Sequence, residues 1–187
     1  MTTISSLQPT LWRTCRVLAN RTRLQMIGLL LRQPNLTVSA VAQQLKLSLP
    51  VASQYLRALE ARGLLSAQRH RGRVKYQISS APLGGAAHEL IEALRRAFQR
   101  DPNPVEALFK MSTAFTQARR IELFRALKQQ PQHPQQLKSS SGMPARALVR
   151  HLMKLKSRGF VEVRQGKYSV SELPEAFGRA LARLAAG

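Results

Sequence analysis

Acidic residues are scarce in this chain: nine Asp and Glu stand against 30 Lys and Arg in 187 residues, a formal net charge of +21. Such an excess destabilises a compact chain by self-repulsion unless a polyanion or counterions offset it. Nucleic acid is therefore the leading partner class, with an anionic membrane surface second. The same shortage excludes much chemistry. Asp101 is the one aspartate, it lies in a proline-rich stretch, and the four histidines are scattered. No paired-carboxylate site, Ser-His-Asp set, Gly-rich phosphate loop or metalloprotease motif is present. General acid–base catalysis is hard to assemble from what remains, so neither an enzyme nor a cofactor is expected.

Cysteine is almost missing as well. Cys15 stands alone, which excludes an internal disulfide and a zinc cluster built on cysteine, and fits a reducing cytosolic setting. Set among Leu11, Trp12 and Leu18, it reads as core rather than as a redox sensor. Long apolar runs are absent too. The most apolar stretch, Leu24 to Leu31, is broken by Gln25 and Gly28 and is far too short to cross a bilayer. The opening Met1-Thr2-Thr3-Ile4 shows no basic segment leading into an apolar one, so no signal peptide is read. The expectation is a soluble cytoplasmic protein with no membrane partner.

What is present is a pattern that occurs twice. The basic excess is spread over both halves: residues 1–100 carry 15 basic and 3 acidic residues (+12), and residues 101–187 carry 15 and 6 (+9). Ala19-Asn20-Arg21-Thr22-Arg23-Leu24 through Leu30 lies over Thr116-Gln117-Ala118-Arg119-Arg120-Ile121 through Leu127. Each run continues to a Gln-Pro pair, Gln33-Pro34 and Gln130-Pro131. After a one-residue gap beside the prolines, Tyr55-Leu56-Arg57-Ala58-Leu59 through Arg62-Gly63 lies over His151-Leu152-Met153-Lys154-Leu155 through Arg158-Gly159. Ordered agreement of this kind is a signature of internal duplication.

Periodicity then reads each copy. Leu24, Ile27, Leu30 and Leu31 predict a first helix with Asn20 as N-cap and a stop at Pro34. Val38, Val41, Ala42 and Leu45 predict a second, short helix. Ser48, with Pro50 in the first turn, opens a third whose inward stripe is Ala52, Leu56 and Leu59 and which ends at Gly63. Leu64–Gln68 and Val74–Ile78 read as strands joined by the basic hairpin Arg69-His70-Arg71-Gly72-Arg73. The second copy predicts helices near Gln117–Lys128, Pro134–Ser139 and Pro144–Arg158, then a shorter hairpin, Phe160–Arg164 and Lys167–Val170 around Gln165-Gly166. Flanking helices are read at Leu11–Leu18, Ala86–Arg100, Val105–Ala114 and Pro174–Ala185, with a boundary at Asp101-Pro102-Asn103-Pro104. The fold class is thus mainly α with small β-hairpin wings: two tandem winged helix-turn-helix domains, residues 1–101 and 102–187.

The segment Leu18-Ala19-Asn20-Arg21-Thr22-Arg23-Leu24, the run Ser48–Leu59 with its exit Gly63-Leu64-Leu65, and the wing end Val74–Ile78 resemble the ArsR family of bacterial repressors. The likeness covers residues 11–100 well and 105–187 more loosely. It implies a sequence-specific DNA-binding transcriptional regulator, a repressor, acting on double-stranded DNA in the cytoplasmic nucleoid. Members usually hold one such unit and dimerise through terminal helices. The resemblance therefore implies an intrachain pseudo-dimer of the two copies, with pairing of two chains left open. Thr37 and Ser39 stand where many members carry metal-binding cysteines, and only His88, Glu89 and Glu92 cluster on a terminal helix, so no metal is expected.

A recognition helix turns its N-terminal, outward side chains to base edges. In the first copy these are Leu49, Val51, Ser53, Gln54 and Arg57, beside the N-cap Ser48; in the second they are Arg146, Val149, Arg150 and Lys154. Gln54 suits adenine, Arg57 guanine or phosphate, and Val51 a thymine methyl. Arg69, Arg71, Arg73 and Lys75 of the first wing, with Arg164 and Lys167 of the second, suit backbone or minor groove. Arg23 and Arg120 are either phosphate contacts or internal partners. A sequence-independent nucleic-acid-binding or chromatin-architectural protein is the alternative reading, and an interaction scaffold a third.

Overall fold

The computed structural model describes residues 10–70, 73–80 and 85–187. The first half begins with α1 (Leu11–Leu18) and α2 (Arg21–Arg32), then a two-residue strand β1 (Leu36–Thr37) and α3 (Val38–Gln44). It continues with α4 (Leu49–Glu60), β2 (Leu65–His70), β3 (Arg73–Ile78) and α5 (Ala86–Arg100). The second half runs through α6 (Val105–Ser112), a 3₁₀ turn (Thr113–Phe115), α7 (Ala118–Gln129), α8 (Pro134–Ser141) and α9 (Ala145–Ser157). The strands β4 (Val161–Arg164) and β5 (Lys167–Val170) and the helix α10 (Ala176–Ala186) complete it. The protein is mainly helical with small antiparallel sheets, and the element order of the first half recurs in the second.

Local chemistry explains the boundaries. Asn20 caps α2, its side chain accepting from the Arg23 amide at 3.0 Å. Ser48 holds the extended backbone of an N-cap, but its hydroxyl makes no capping bond. Gly63 and Gly159 leave α4 and α9 at φ 69° and 78°, where a Cβ would be strained.

Some expected limits shift. The strands of the first hairpin run through Arg69, His70 and Arg73, so only Arg71 and Gly72 join them, and these two lie outside the described residues. The helix expected over Val105–Ala114 stops at Ser112 and tightens into the 3₁₀ turn. α10 starts two residues later than expected, after Pro174 and Glu175. β1 was not foreseen, because two residues carry no period; Leu36 pairs with Tyr76 beside the β2–β3 ladder. The second half has the matching feature, a single bridge between Gln132 and Tyr168 next to β4–β5.

One contiguous apolar cluster runs through both halves. α5 packs on α10, and α1 packs on α6 and the 3₁₀ turn. The buried faces meeting there carry Leu90, Ile91 and Leu94 on α5, Leu108 on α6, and Phe177, Ala180 and Leu181 on α10. Phe115, Phe124 and Phe160 form an edge-to-face triad, with ring centroids 4.8–6.3 Å apart, in the second half. Ion pairs bridge the halves at the rim: Arg21–Glu106 at 2.7 Å, Arg183–Glu89 at 2.6 Å and Arg100–Glu175 at 3.7 Å. These pairs are exposed, so apolar burial rather than charge holds the halves together.

The two repeated arginines act internally. The Arg23 guanidinium donates to the Val17 carbonyl at 3.0 Å, and Arg120 donates to the carbonyls of Ala114 and Thr113 and to the Thr116 hydroxyl. In each copy the arginine reaches back six residues and satisfies the carbonyl end of the preceding helical segment. Arg120 is only 6% exposed. Replacing it by alanine leaves buried carbonyls without a donor and should lower unfolding free energy by about 2–3 kcal/mol in urea titrations. Arg21→Ala, which removes only an exposed pair, should leave the midpoint almost unmoved. Equal effects would mean that the Arg120 bonds contribute nothing.

Cys15 is fully buried, and burial pushes its thiol pKa up to about 12. A thiol reagent at neutral pH should leave the native protein unlabelled and modify Cys15 only as fast as the chain opens. Immediate labelling would contradict this packing.

Candidate nucleic-acid interface

α3, a four-residue turn and α4 place the first candidate surface. Lys46 turns the chain at φ 52°, and Leu47 returns an amide bond to the Ala42 carbonyl at 2.8 Å. Ala52, Leu56 and Leu59 anchor α4 in the core, which sets Gln54 and Arg57 outward and exposed, with Val51 and Ser53 half-buried beside them. Leu49 projects at the N-terminal end with 56% of its surface exposed. The Ser48 hydroxyl makes no capping bond, and the first turn offers few free amides, since Pro50 has none and Ala52 donates to the Ser48 carbonyl at 3.0 Å.

The wing is tied to the end of this helix by one carboxylate. Glu60 accepts from Arg69 at 3.0 Å and from the Tyr76 hydroxyl at 3.4 Å. Burial first, and Glu60 second, hold the Tyr76 phenol above its usual range. The ladder pairs Arg69 with Val74 and His70 with Arg73, and successive residues point to opposite faces. Arg69 therefore shares the face of Val74 and Tyr76, turned towards α4, while Arg73 and Lys75 lie on the other. The expected cluster is thus split: Arg73 and Lys75 stand together and exposed, Arg69 is engaged by Glu60, and Arg71 lies outside the described residues. Period-two geometry causes the split, and spacing in a presumed loop concealed it.

In the second half, Gly142 turns the chain at φ 63° between α8 and α9. Arg146 and Arg150 project from α9, and Lys154 is half-buried, with burial and then Arg158 and Arg120 holding its amine below the usual range. Val149 and Met153 are 50% and 62% exposed along the same face. With Gln117 and Arg120 of the first turn of α7, they line an open groove. Met153 was missed in the sequence, although it lies four residues from Val149 and over Arg57 in the repeat. The second wing turns at Gln165-Gly166 and exposes Arg164, paired with Glu162 at 3.0 Å, and Lys167.

Other expected groups have internal partners. Thr37 caps α3, accepting from the Ala40 amide at 3.2 Å and lying 3.0 Å from the Ser39 hydroxyl. Glu89 and Glu92 are engaged by Arg183 and Arg95. Among the described residues no three His, Cys, Asp or Glu side chains gather as a metal set, and no helix is long and apolar enough to cross a membrane.

Residues 20–66, from the cap of α2 through α4 into β2, match the winged helix-turn-helix DNA-binding family. No curated protein matches the chain. The matched span contains Ser48, Val51, Ser53, Gln54 and Arg57, so these residues fall in the part of the chain that is similar to that family.

Behind the outward face of α9 lies His151, buried, with Nδ1 unpartnered among the described residues. Burial, and then Arg120, Arg150 and Arg119, hold its pKa below the ordinary 6.5. The unfolded chain takes up this proton first, so stability falls as pH drops below about 6.5 and stops falling once the folded imidazole also titrates. Thermal midpoints between about pH 7 and pH 5 should therefore slope downward with acid. His151→Tyr, which installs the residue type of Tyr55 in the first copy, should flatten that slope. An unchanged slope would assign the loss to other groups.

Proposed function

We propose that the protein is a sequence-specific DNA-binding transcriptional regulator, a repressor, that carries two winged helix-turn-helix units in one chain, residues 1–101 and 102–187, paired as an intrachain pseudo-dimer. The observation that carries the reading is the outward Ser53, Gln54 and Arg57 face of α4, within a segment that matches a DNA-binding family. In this reading α4 enters one major groove and α9 the next, about 34 Å along the duplex. Gln54 and Arg57 read base edges, with Ser48, Val51 and the start of α4 against backbone and bases. Arg73 and Lys75, with Arg69 and Arg71, lie along backbone or minor groove, and Arg164 and Lys167 are their weaker counterparts. Arg146, Arg150 and Lys154 serve the second half-site. The repeated element order and the packing of α1 and α5 on α6 and α10 support the pairing. The resemblance to ArsR repressors supports the direction of regulation. The net charge of +21 favours one other reading, a sequence-independent nucleic-acid-coating protein.

Selection from random duplexes, followed by affinity measurements for winner and scrambled sequence over a salt series, separates the two. A regulator should prefer the winner by roughly 10³ or more, bind one chain per duplex, and show two unlike half-sites about 10 bp apart. Gln54→Ala or Arg57→Ala should cost about 1–3 kcal/mol and relax choice at one or two base pairs. Arg73→Ala should weaken all duplexes alike and reduce the salt slope by about one. Equal affinity for winner and scramble, with one steep salt slope, would leave the coating reading instead.

A further inference from the structure

The outward faces of α4 and α9 differ in kind at equivalent positions. By the repeat that places Tyr55 over His151, Ser53 corresponds to Val149, Gln54 to Arg150 and Arg57 to Met153. Where α4 offers a hydroxyl and a guanidinium four residues apart, α9 offers an isopropyl group and a thioether, 50% and 62% exposed. These are two of the four large apolar side chains that are exposed among the described residues, and they sit one turn apart on one face. Burying them needs an apolar partner. The cations beside them, Arg146, Arg150 and Lys154, need an anionic one. A duplex major groove supplies both at once: phosphates on its walls, and methyl groups on its floor wherever thymine occurs.

We infer that Val149 and Met153 are specificity-determining residues that read thymine methyl groups, so that these two positions of α9 choose by apolar contact where Ser53 and Arg57, their equivalents on α4, choose by hydrogen bonds. The inference rests on the regulator reading above. Val149 sits in the first half of α9, where a recognition helix meets bases, and Met153 follows one turn later with an unbranched side chain that adapts to the step it meets. Arg150, between them in sequence, takes the neighbouring guanine or phosphate. No hydrogen-bond donor or acceptor on Val149 or Met153 is left unpaired by such a contact, so it discriminates by methyl burial alone.

Deoxyuridine tests this directly, because it differs from thymidine only by that methyl. The selected duplex is first divided into halves with Gln54→Ala, which marks the α4 half by relaxing choice there. Thymines in the other half are then replaced by deoxyuridine. Affinity of the wild-type chain should fall roughly fourfold for each contacted methyl. The same exchange in the α4 half should have a smaller effect. Met153→Ala and Val149→Thr alter exposed side chains and should leave thermal stability unchanged, yet each should shrink the thymine-to-deoxyuridine ratio towards one. A selected site whose second half ignores the exchange, or variants that lose affinity equally for both duplexes, would overturn the inference and leave the regulator reading standing. Full retention of DNA selection by Met153→Ala would also overturn it. Failure to select any sequence would sink the regulator reading itself, and this inference with it.

Discussion

A guanidinium folded back onto the preceding helical segment sets the geometry of both halves. Arg23 reaches the carbonyl of Val17 at 3.0 Å, and Arg120 reaches that of Ala114 across the same six-residue interval. Arg120 is buried with its guanidinium bonded three times, whereas Arg23 is half-buried and its Nε has no partner among the described residues, so the second corner is the more tightly constrained of the two. The other side of each arginine faces the helix proposed to read DNA. The Arg23 guanidinium lies 4.8 Å from the ring centroid of Tyr55 on α4, and Arg120 is close enough to His151 on α9 to lower its pKa. One side chain per copy thus joins a helix of the inter-half contact to a helix on the outer face.

The few carboxylates are spent on holding elements in place. Glu60 pins the first wing to α4, while Glu106, Glu89 and Glu175 span the halves. Glu92, Glu122 and Glu162 pair locally with arginines. None of them lines the groove of Arg146 and Arg150, and Glu60, one turn from Arg57 on α4, is held by Arg69 and Tyr76. The cations there keep their field, which falls off over about 8 Å at physiological salt. Stability pays little for this arrangement, since the inter-half contact is apolar and salt screens only its rim.

Helices were legible because their signals are periodic or chemical. Leu11–Leu18 and Ala86–Arg100 were read with the observed limits, and Asn20 as the cap of α2. What escaped the sequence lacks a period or depends on distant partners. β1 is two residues long and exists through pairing with β3. The clamp at Glu60 joins residues 9 and 16 apart in the chain across a hairpin, and no local spacing announces it. Charge spacing suggested one basic cluster on the wing, whereas the strand register divides it between two faces. The apolar pair on α9 could have been found, because Val149 and Met153 sit at helical spacing. Reading the helix for charge alone passed over Met153.

Comparison of the two copies separates scaffold from surface. Several inward positions agree, Leu56 with Leu152, Leu59 with Leu155, Tyr76 with Tyr168 and Arg23 with Arg120, and others exchange one apolar residue for another, as Ile27 against Phe124, Ala52 against Leu148 and Leu64 against Phe160. Outward positions on α4 and α9 differ in kind, as Ser53 against Val149 and Arg57 against Met153 show. In a symmetric homodimer every surface substitution appears twice, so both half-sites change together. In the proposed pseudo-dimer, joining two units in one chain removes that constraint and replaces association from solution with a contact whose effective concentration the linker sets. Packing then still demands apolar inward residues from each half. Outward residues are free to follow different DNA edges, and the exchange of polar for apolar side chains on that face, where the inward face exchanges only apolar for apolar, is the outcome expected if two unlike half-sites are what the paired fold is built to read.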